Sequence, residues 1–481
     1  MKKILSIIFA MAALSFTACD DYIDLTPKGA VTVDSAYTYY ELVLMPNRTY
    51  WPTCFALLTD DAYCKESKII GFENTTLDGI NYTFNEQADR TEIGQNNLYE
   101  NAYKYILRYN IVIDNIMSSP GDEHIKQLGM AEARLLRAWE HFVVVNTYAK
   151  AYDPSTAATD GGVAIMKKYD LEATPFKSTV ADTYDFILSE IDAALPYLQE
   201  TPDLVGHPSL AYGYGLKALV CLFHRDWQQA KEAAEQCLKL NSELVDYTTI
   251  SKVTSNTKYR YTAGNPGNPE VLDPTTSSVG FTGTLMYNYG QISKELTDLF
   301  DQTKDKRYTL FFQKNSGTGA YAYYFDAGVG ASTWLSGATL NRFYYSTVGL
   351  RTAEIYLILA ECQARLGDLS GAMSTLSTLR KNRIVGYDPS TATANSAKEV
   401  MDQIITERRK ELLFGFHRFW DLKRLNTEPE YAKTITRVFP VLTTTVAQQT
   451  YTLRPDSRLY IIPFPKSARE RNPNLTLNTD E

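Results

Sequence analysis

One pattern occurs twice in this chain. The segment Tyr214-GLK-Ala218-LVCLFHR-Asp226-WQQ-Ala230 returns as Tyr356-LIL-Ala360-ECQARLG-Asp368-LSG-Ala372, four identities in one register, 142 positions apart. Each copy reads as two helices joined by a tight break. Ala218 and Ala360 are small enough to admit a close neighbour. Asp226 and Asp368 stand where a carboxylate accepts from the free backbone amides that open a helix. Ala230 and Ala372 let that second helix pack tightly. A single hairpin of this kind cannot bury its own apolar face, so copies must stack.

The Gly/Arg-Asp turn and the alanine spacing resemble tetratricopeptide helix pairs, although any helical hairpin wants a cap and a small residue. Other segments carry the same 3.6-residue period. Leu98, Tyr105, Ile106, Tyr109, Ile113 and Ile116 mark a helix from Asn97 to Ile116, ended by Ser118-Ser119-Pro120-Gly121. A second runs from Glu123 to Tyr148, and the two form an antiparallel hairpin. Another covers Val180 to Leu198. Near the end, one long helical pattern spans Ser396 to Leu425, followed by a Pro-rich, β-prone tail. The fold class expected is mainly α, with tetratricopeptide-like hairpins and a loop-rich, irregular half carrying short strands.

The irregular half is residues 251–347. It is rich in Gly, Ser, Thr, Asn and Tyr, with one helix expected at Gln291–Phe300 and short strands or ordered loops at Tyr321–Tyr324 and Phe343–Tyr345. The chain holds 34 Tyr, 20 Phe and 5 Trp. Most of these rings serve helix packing. Those in a loop-rich insertion on rigid helices stand where binding residues usually lie.

The N-terminus reads as an export signal. Lys2 and Lys3 precede the apolar run Ile4–Leu14, which is too short to span a bilayer, and Phe16-Thr17-Ala18 leads to Cys19. This resembles the lipobox of bacterial lipoproteins, with Phe16 where Leu is usual. Lipidated Cys19 would anchor the mature chain to a membrane without spanning it. The division expected is a signal peptide at 1–18, a tether at 19–35, an N-terminal helical region at 36–250, the aromatic insertion at 251–347 and a C-terminal region at 348–481. Net charge is −8, with no basic stripe, which argues against nucleic acid as a partner. Of six cysteines, Cys221, Cys237 and Cys362 read as small core residues, while a Cys54–Cys64 disulfide stays open.

Catalytic and cofactor signatures are missing. There is no H-E-x-x-H, no G-x-S-x-G and no phosphate-binding loop, and the five His (His124, His141, His207, His224, His417) lack ligand spacing. No cofactor and no metal site is expected. Asp60-Asp61 is the neatest candidate for a glycosidase pair, but adjacent carboxylates usually mark a solvated turn. Glu407 and Glu411, four apart around Arg408, Arg409 and Lys410, are expected to pair along one helix face, as are Arg418 and Asp421. The sequons at Asn47, Asn74 and Asn81 read as chance in a bacterial chain.

Four segments together resemble the SusD/RagB family of nutrient-binding lipoproteins. They are Cys19-Asp20-Asp21-Tyr22-Ile23-Asp24-Leu25-Thr26-Pro27; Ala133-Arg134-Leu135-Leu136-Arg137-Ala138-Trp139 with Phe142 and Tyr148; Glu407-Arg408-Arg409 with Glu411-Leu412, through His417-Arg418 and Asp421-Leu422-Lys423-Arg424; and Ile462-Pro463 with Asn472-Pro473 and Leu475. Two departures are Gly415-Phe416, where the family has Glu-Gly, and Phe464-Pro465-Lys466, where a Glu normally follows Ile-Pro.

The resemblance implies an outer-membrane, surface-exposed lipoprotein partnered by a SusC-like TonB-dependent transporter. It implies no catalysis, and an oligosaccharide ligand, or a peptide as in the RagB branch. Ligand contacts are expected from insertion residues Tyr323, Tyr324, Trp334, Tyr344 and Tyr345. Others are expected from Tyr82, Phe84, Arg90 and Asn97, in the loop that the family uses before its first long helix. A surface glycoside hydrolase and a ligand-free scaffold are the rival readings.

Overall fold

The computed structural model describes residues 33–44, 53–63, 66–91, 98–204, 206–249, 269–272, 291–314, 323–325, 350–413, 417–441 and 443–478. Helix α1 (Ala36–Val43) is opened by a capping box in which Ser35 and Thr38 satisfy each other's backbone amides. A six-residue 3₁₀ helix (Thr53–Leu58), strand β1 (Ala62–Tyr63) and two short helices, α2 (Glu66–Ile69) and α3 (Leu77–Tyr82), follow.

The first long hairpin is α4 (Leu98–Asn115) against α5 (Glu123–Tyr148), whose N-terminus is capped by Asp122 accepting from the amides of His124 and Ile125. Strands β2 (Gly161–Ala164) and β3 (Lys177–Thr179) lead into α6 (Val180–Ala194), which packs on α5.

Helices α7 (Leu210–His224) and α8 (Trp227–Leu240) are the first copy of the repeat. The second follows a region of short elements: β4 (Gln291–Ile292), α9 (Lys294–Asp298), α10 (Lys306–Phe311), β5 (Phe312–Lys314) and β6 (Tyr323–Phe325). It consists of α11 (Thr352–Arg365) and α12 (Leu369–Lys381). The chain then forms α13 (Ala397–Glu411), α14 (His417–Leu425), a hairpin of β7 (Ile435–Phe439) and β8 (Gln449–Leu453), and α15 (Lys466–Arg471). The pattern from Ser396 to Leu425 is therefore two helices, not one. The helix expected at Gln291–Phe300 shrinks to α9, because Gln291 and Ile292 pair instead with β1.

The two copies of the repeat agree in detail. Asp226 accepts from the Gln229 amide at 3.0 Å and Asp368 from the Gly371 amide at 2.9 Å. Ala218, Ala230, Ala360 and Ala372 are fully buried. The residue before each cap has positive φ: Gly367 at 89° and, at the equivalent position, Arg225 at 63°. Glycine takes that conformation freely, whereas a side chain costs about 1 kcal/mol there. Helix α11 also packs on α8, where Arg365 stacks on the Trp227 ring at 4.2 Å. Gly215 makes close approach feasible, since a Cβ there would meet Leu350 Cδ2 at 2.6 Å.

Among the described residues the strands form four two-stranded antiparallel sheets: β1–β4, β2–β3, β5–β6 and β7–β8. One large apolar core runs through most of the helices, and a smaller one joins α11, α12 and α13. Cys221, Cys237 and Cys362 are buried, unpaired core residues; the Cys64 half of the Cys54–Cys64 question lies outside the described residues.

The charged helix α13 departs from expectation. Its ion pairs do not run along its own face but reach out to other elements. Arg307 and Arg383 both donate to Glu411, at 2.9 Å each, and all three are fully buried. Arg351 joins Glu411 to Glu270. Arg408 pairs with Asp421 at 3.0 Å, and Arg424 grips both oxygens of Glu361 at 2.7 and 2.8 Å. Burial alone would raise the Glu411 carboxyl, but Arg383, Arg351 and Arg307 outweigh it and hold it at about 2. Charge on this motif fastens the irregular half to the helices from inside. A helical pattern of alternating charge reads as solvent-facing only while the partners are taken to be local.

Candidate ligand-binding site

The sequence expectation placed Tyr82, Phe84 and Arg90 at a ligand. The structure gives them other work. Tyr82 is fully buried and Phe84 nearly so; their rings lie 4.2 and 4.5 Å from the guanidinium carbon of Arg437, which is inserted between them. Arg437 donates in turn to the carbonyls of Leu57 and Thr59. Arg90 is buried and donates to the carbonyls of Arg458, Leu459 and Ile461. These three side chains are committed to holding the chain ends together, and they present no face to a ligand. Tyr323 and Tyr324 lie in β6, in register with Lys314 and Gln313. Asn97, Trp334, Tyr344 and Tyr345 lie outside the described residues.

Asp60 and Asp61 are also not the solvated turn expected. Both are buried against arginines: Asp60 on Arg418, and Asp61 on Arg409 at 2.6 Å. Both oxygens of Asp60 are taken by Arg418 and Asp61 Oδ1 by Arg409, so the two carboxylates act as anchors. Among the described residues no cluster of His, Cys, Asp or Glu could hold a metal ion, and no helix is long and apolar enough to cross a membrane.

What the structure does offer is a cleft of about 660 Å³ along α4, within the size range of small-ligand sites. Tyr99, Tyr103, Leu107 and Ile111 recur every fourth residue, so they form one stripe down the helix and line the floor. Glu100, Lys104 and Arg108 run beside them. The rest of the lining is Ala164 at the end of β2, Met166 just beyond it, the segment 169–175, and Ser467, Ala468 and Arg471 of α15 with Asn472. Leu42 of α1 closes one side.

The walls are tied together. The Tyr103 hydroxyl donates to the Ala164 carbonyl at 2.7 Å, the Asn472 amide to the Pro175 carbonyl at 2.8 Å, and Ser467 Oγ to Glu100 Oε1 at 3.2 Å. Burial pushes the Tyr103 hydroxyl far above the usual phenol range, so it stays a donor. Deeper, Asn110 donates to the carbonyls of Met166 and Lys168 while its own oxygen accepts from Arg137 at 2.6 Å. Arg137, part of the second resemblance segment, thus positions the cleft wall through Asn110. The cleft is rigid on that side, and the lip carries exposed apolar groups: Tyr169 is 46% and Leu171 68% exposed. The cleft residues were missed in the sequence because the core-facing stripe of α4 carries the stronger apolar signal. A second stripe at four-residue spacing, Tyr99 to Ile111, was the sign of them.

These features define a rigid helical-hairpin scaffold bearing a cleft fit for a small organic ligand. Residues 236–480 match the family model described as the SusD family, and residues 66–222 match one described as "Starch-binding associating with outer membrane". This chain belongs to the SusD family. It is similar to the SusD-like protein P38 of Formosa agariphila, 22% identical over 86% of this chain and 89% of that protein. A SusD superfamily protein from Bacteroides thetaiotaomicron has the same fold, with a TM-score of 0.69 at 20% identity, over 93% of this chain and all of that one. A structure described as a laminarin binding SusD-like protein aligns with a TM-score of 0.61 at 19% identity, over 91% and 97%.

Proposed function

We propose that this protein is a surface lipoprotein that captures an oligosaccharide and delivers it, unchanged, to a SusC-like TonB-dependent transporter of the outer membrane. The observation that carries this reading is the match of residues 66–222 to the model described as starch-binding and associating with the outer membrane. That stretch contains α4 and the first hairpin, which form the floor of the cleft. Sugar rings offer flat C–H faces and hydroxyls, and a partly apolar cleft with tyrosines and fixed polar groups suits both. Trp334, Tyr344, Tyr345, Tyr323 and Tyr324 of the insertion are proposed as further contacts, and Cys19 as the lipid site.

The test is made in cells and on the pure chain. A C-terminally tagged protein is expected in the outer-membrane fraction, to co-purify with a β-barrel transporter after mild detergent extraction, and to be released by Cys19→Ala. Recovery of the wild type only as a soluble, lone protein contradicts the reading. In titration against a glycan and peptide panel, Trp334→Ala and Tyr344→Ala are expected to weaken glycan binding; unchanged affinity removes those two residues from the site.

A further inference from the structure

The cleft along α4 has an unusual charge balance for this protein. The chain is acidic overall, and its buried arginines are matched to carboxylates or carbonyls, as around Glu411, Glu361 and Asp60. Three cations lining the cleft are not. Lys104 and Arg108 stand one turn apart on α4, and Arg471 of α15 also lines the cleft. None of the three forms an ion pair among the described residues. The lining also holds two carboxylates, Glu100, which accepts from Ser467, and Asp170, which accepts from the Glu172 amide, so cations outnumber anions there by three to two. A ligand in the cleft therefore meets an excess of positive charge, carried by two elements, over an apolar floor.

We infer that the cleft takes an acidic oligosaccharide, one bearing carboxylate or sulfate groups. The inference rests on the glycan-capture reading and names the ligand class for it. An arginine fork matches the planar oxygens of a carboxylate or the oxygens of a sulfate, and a lysine adds a point charge. The tyrosines and aliphatic groups of the floor receive the sugar's C–H face. A neutral glycan would leave the excess positive charge of the cleft without a partner, which disfavours it relative to an acidic one.

Titration of the intact mature chain separates the outcomes. The probes are a galacturonic acid trimer, a sulfated trisaccharide and laminaritriose, each at low and high salt. The acidic probes are expected to bind, with affinity falling as salt rises. Lys104→Ala and Arg108→Ala are each expected to weaken them by about tenfold, with Arg108→Lys recovering part of the loss. Which acidic probe binds better tells carboxylate from sulfate. If laminaritriose binds alone, or if the acidic probes bind but ignore both substitutions, the charge assignment is overturned while glycan capture stands. If no saccharide binds, both fall.

Discussion

Arg418 holds Asp60 with two parallel hydrogen bonds, Nε to Oδ1 and Nη2 to Oδ2, each 2.7 Å long, across 358 positions of sequence. Lys433 and Arg409 approach the same carboxylate at 2.6 and 3.3 Å. One buried anion thus gathers three cations from the C-terminal third onto the link between the Thr53–Leu58 3₁₀ helix and β1. Burial opposes the Asp60 charge, but Arg418 and Arg409 outweigh it and hold its carboxyl well below the usual range.

Asp60→Asn would leave Arg418 without its carboxylate in the interior, and stability is expected to fall by about 3–5 kcal/mol. Because the folded-state carboxyl titrates below the unfolded one, its contribution is present above the unfolded value of 3.8 and lost as pH falls through the folded value. Denaturant melts at several pH values should therefore show the gap between wild type and variant constant at neutral pH and narrowing in acid. A gap that is absent at pH 7 contradicts the anchoring role.

Lys423 gives the opposite dependence. Its amine is fully buried, donates to the Asn146 carbonyl at 2.7 Å, and is brought down by burial from 10.5 to about 7. Between those values the unfolded chain holds a proton that the folded chain has released. Stability should therefore rise with pH across that window, by at most about 1.4 kcal/mol per pH unit; below pH 7 the full penalty remains. Lys423→Met removes this slope. Parallel stability curves for wild type and Lys423→Met from pH 7 to 10 would contradict the burial argument.

Tyr82 and Phe84 were expected at the ligand and lie around Arg437 instead. Tyr82→Ala and Phe84→Ala should each cost about 3–5 kcal/mol of stability, as truncated core aromatics do, while the folded variants keep the glycan affinity of the wild type. Loss of affinity at unchanged melting temperature would return them to the binding site.

The sequence made the helical half legible for a physical reason. Repeated Asp caps, small alanines and the 3.6-residue apolar period are local signals, and α5 falls on Glu123–Tyr148 as its pattern predicts. The interior charges were not legible. Glu411 and Arg383, or Asp60 and Arg418, look like surface residues until distant segments are brought together, and nothing local specifies that meeting. The same holds for Arg90 and Arg437, whose partners are backbone carbonyls that any residue carries. The cleft was half legible: Tyr99, Tyr103, Leu107 and Ile111 share a stripe, but the rest of the lining comes mainly from residues 164–175 and 467–472.

The central claim is capture without chemistry. Isothermal titration of the lipid-free mature chain, Cys19→Ser, with oligosaccharides, followed by chromatography of the recovered sugar, tests it most directly. A saturable binding heat with the oligosaccharide returned intact is the predicted result. Shortened products, or no binding to any glycan while peptides bind, would contradict it.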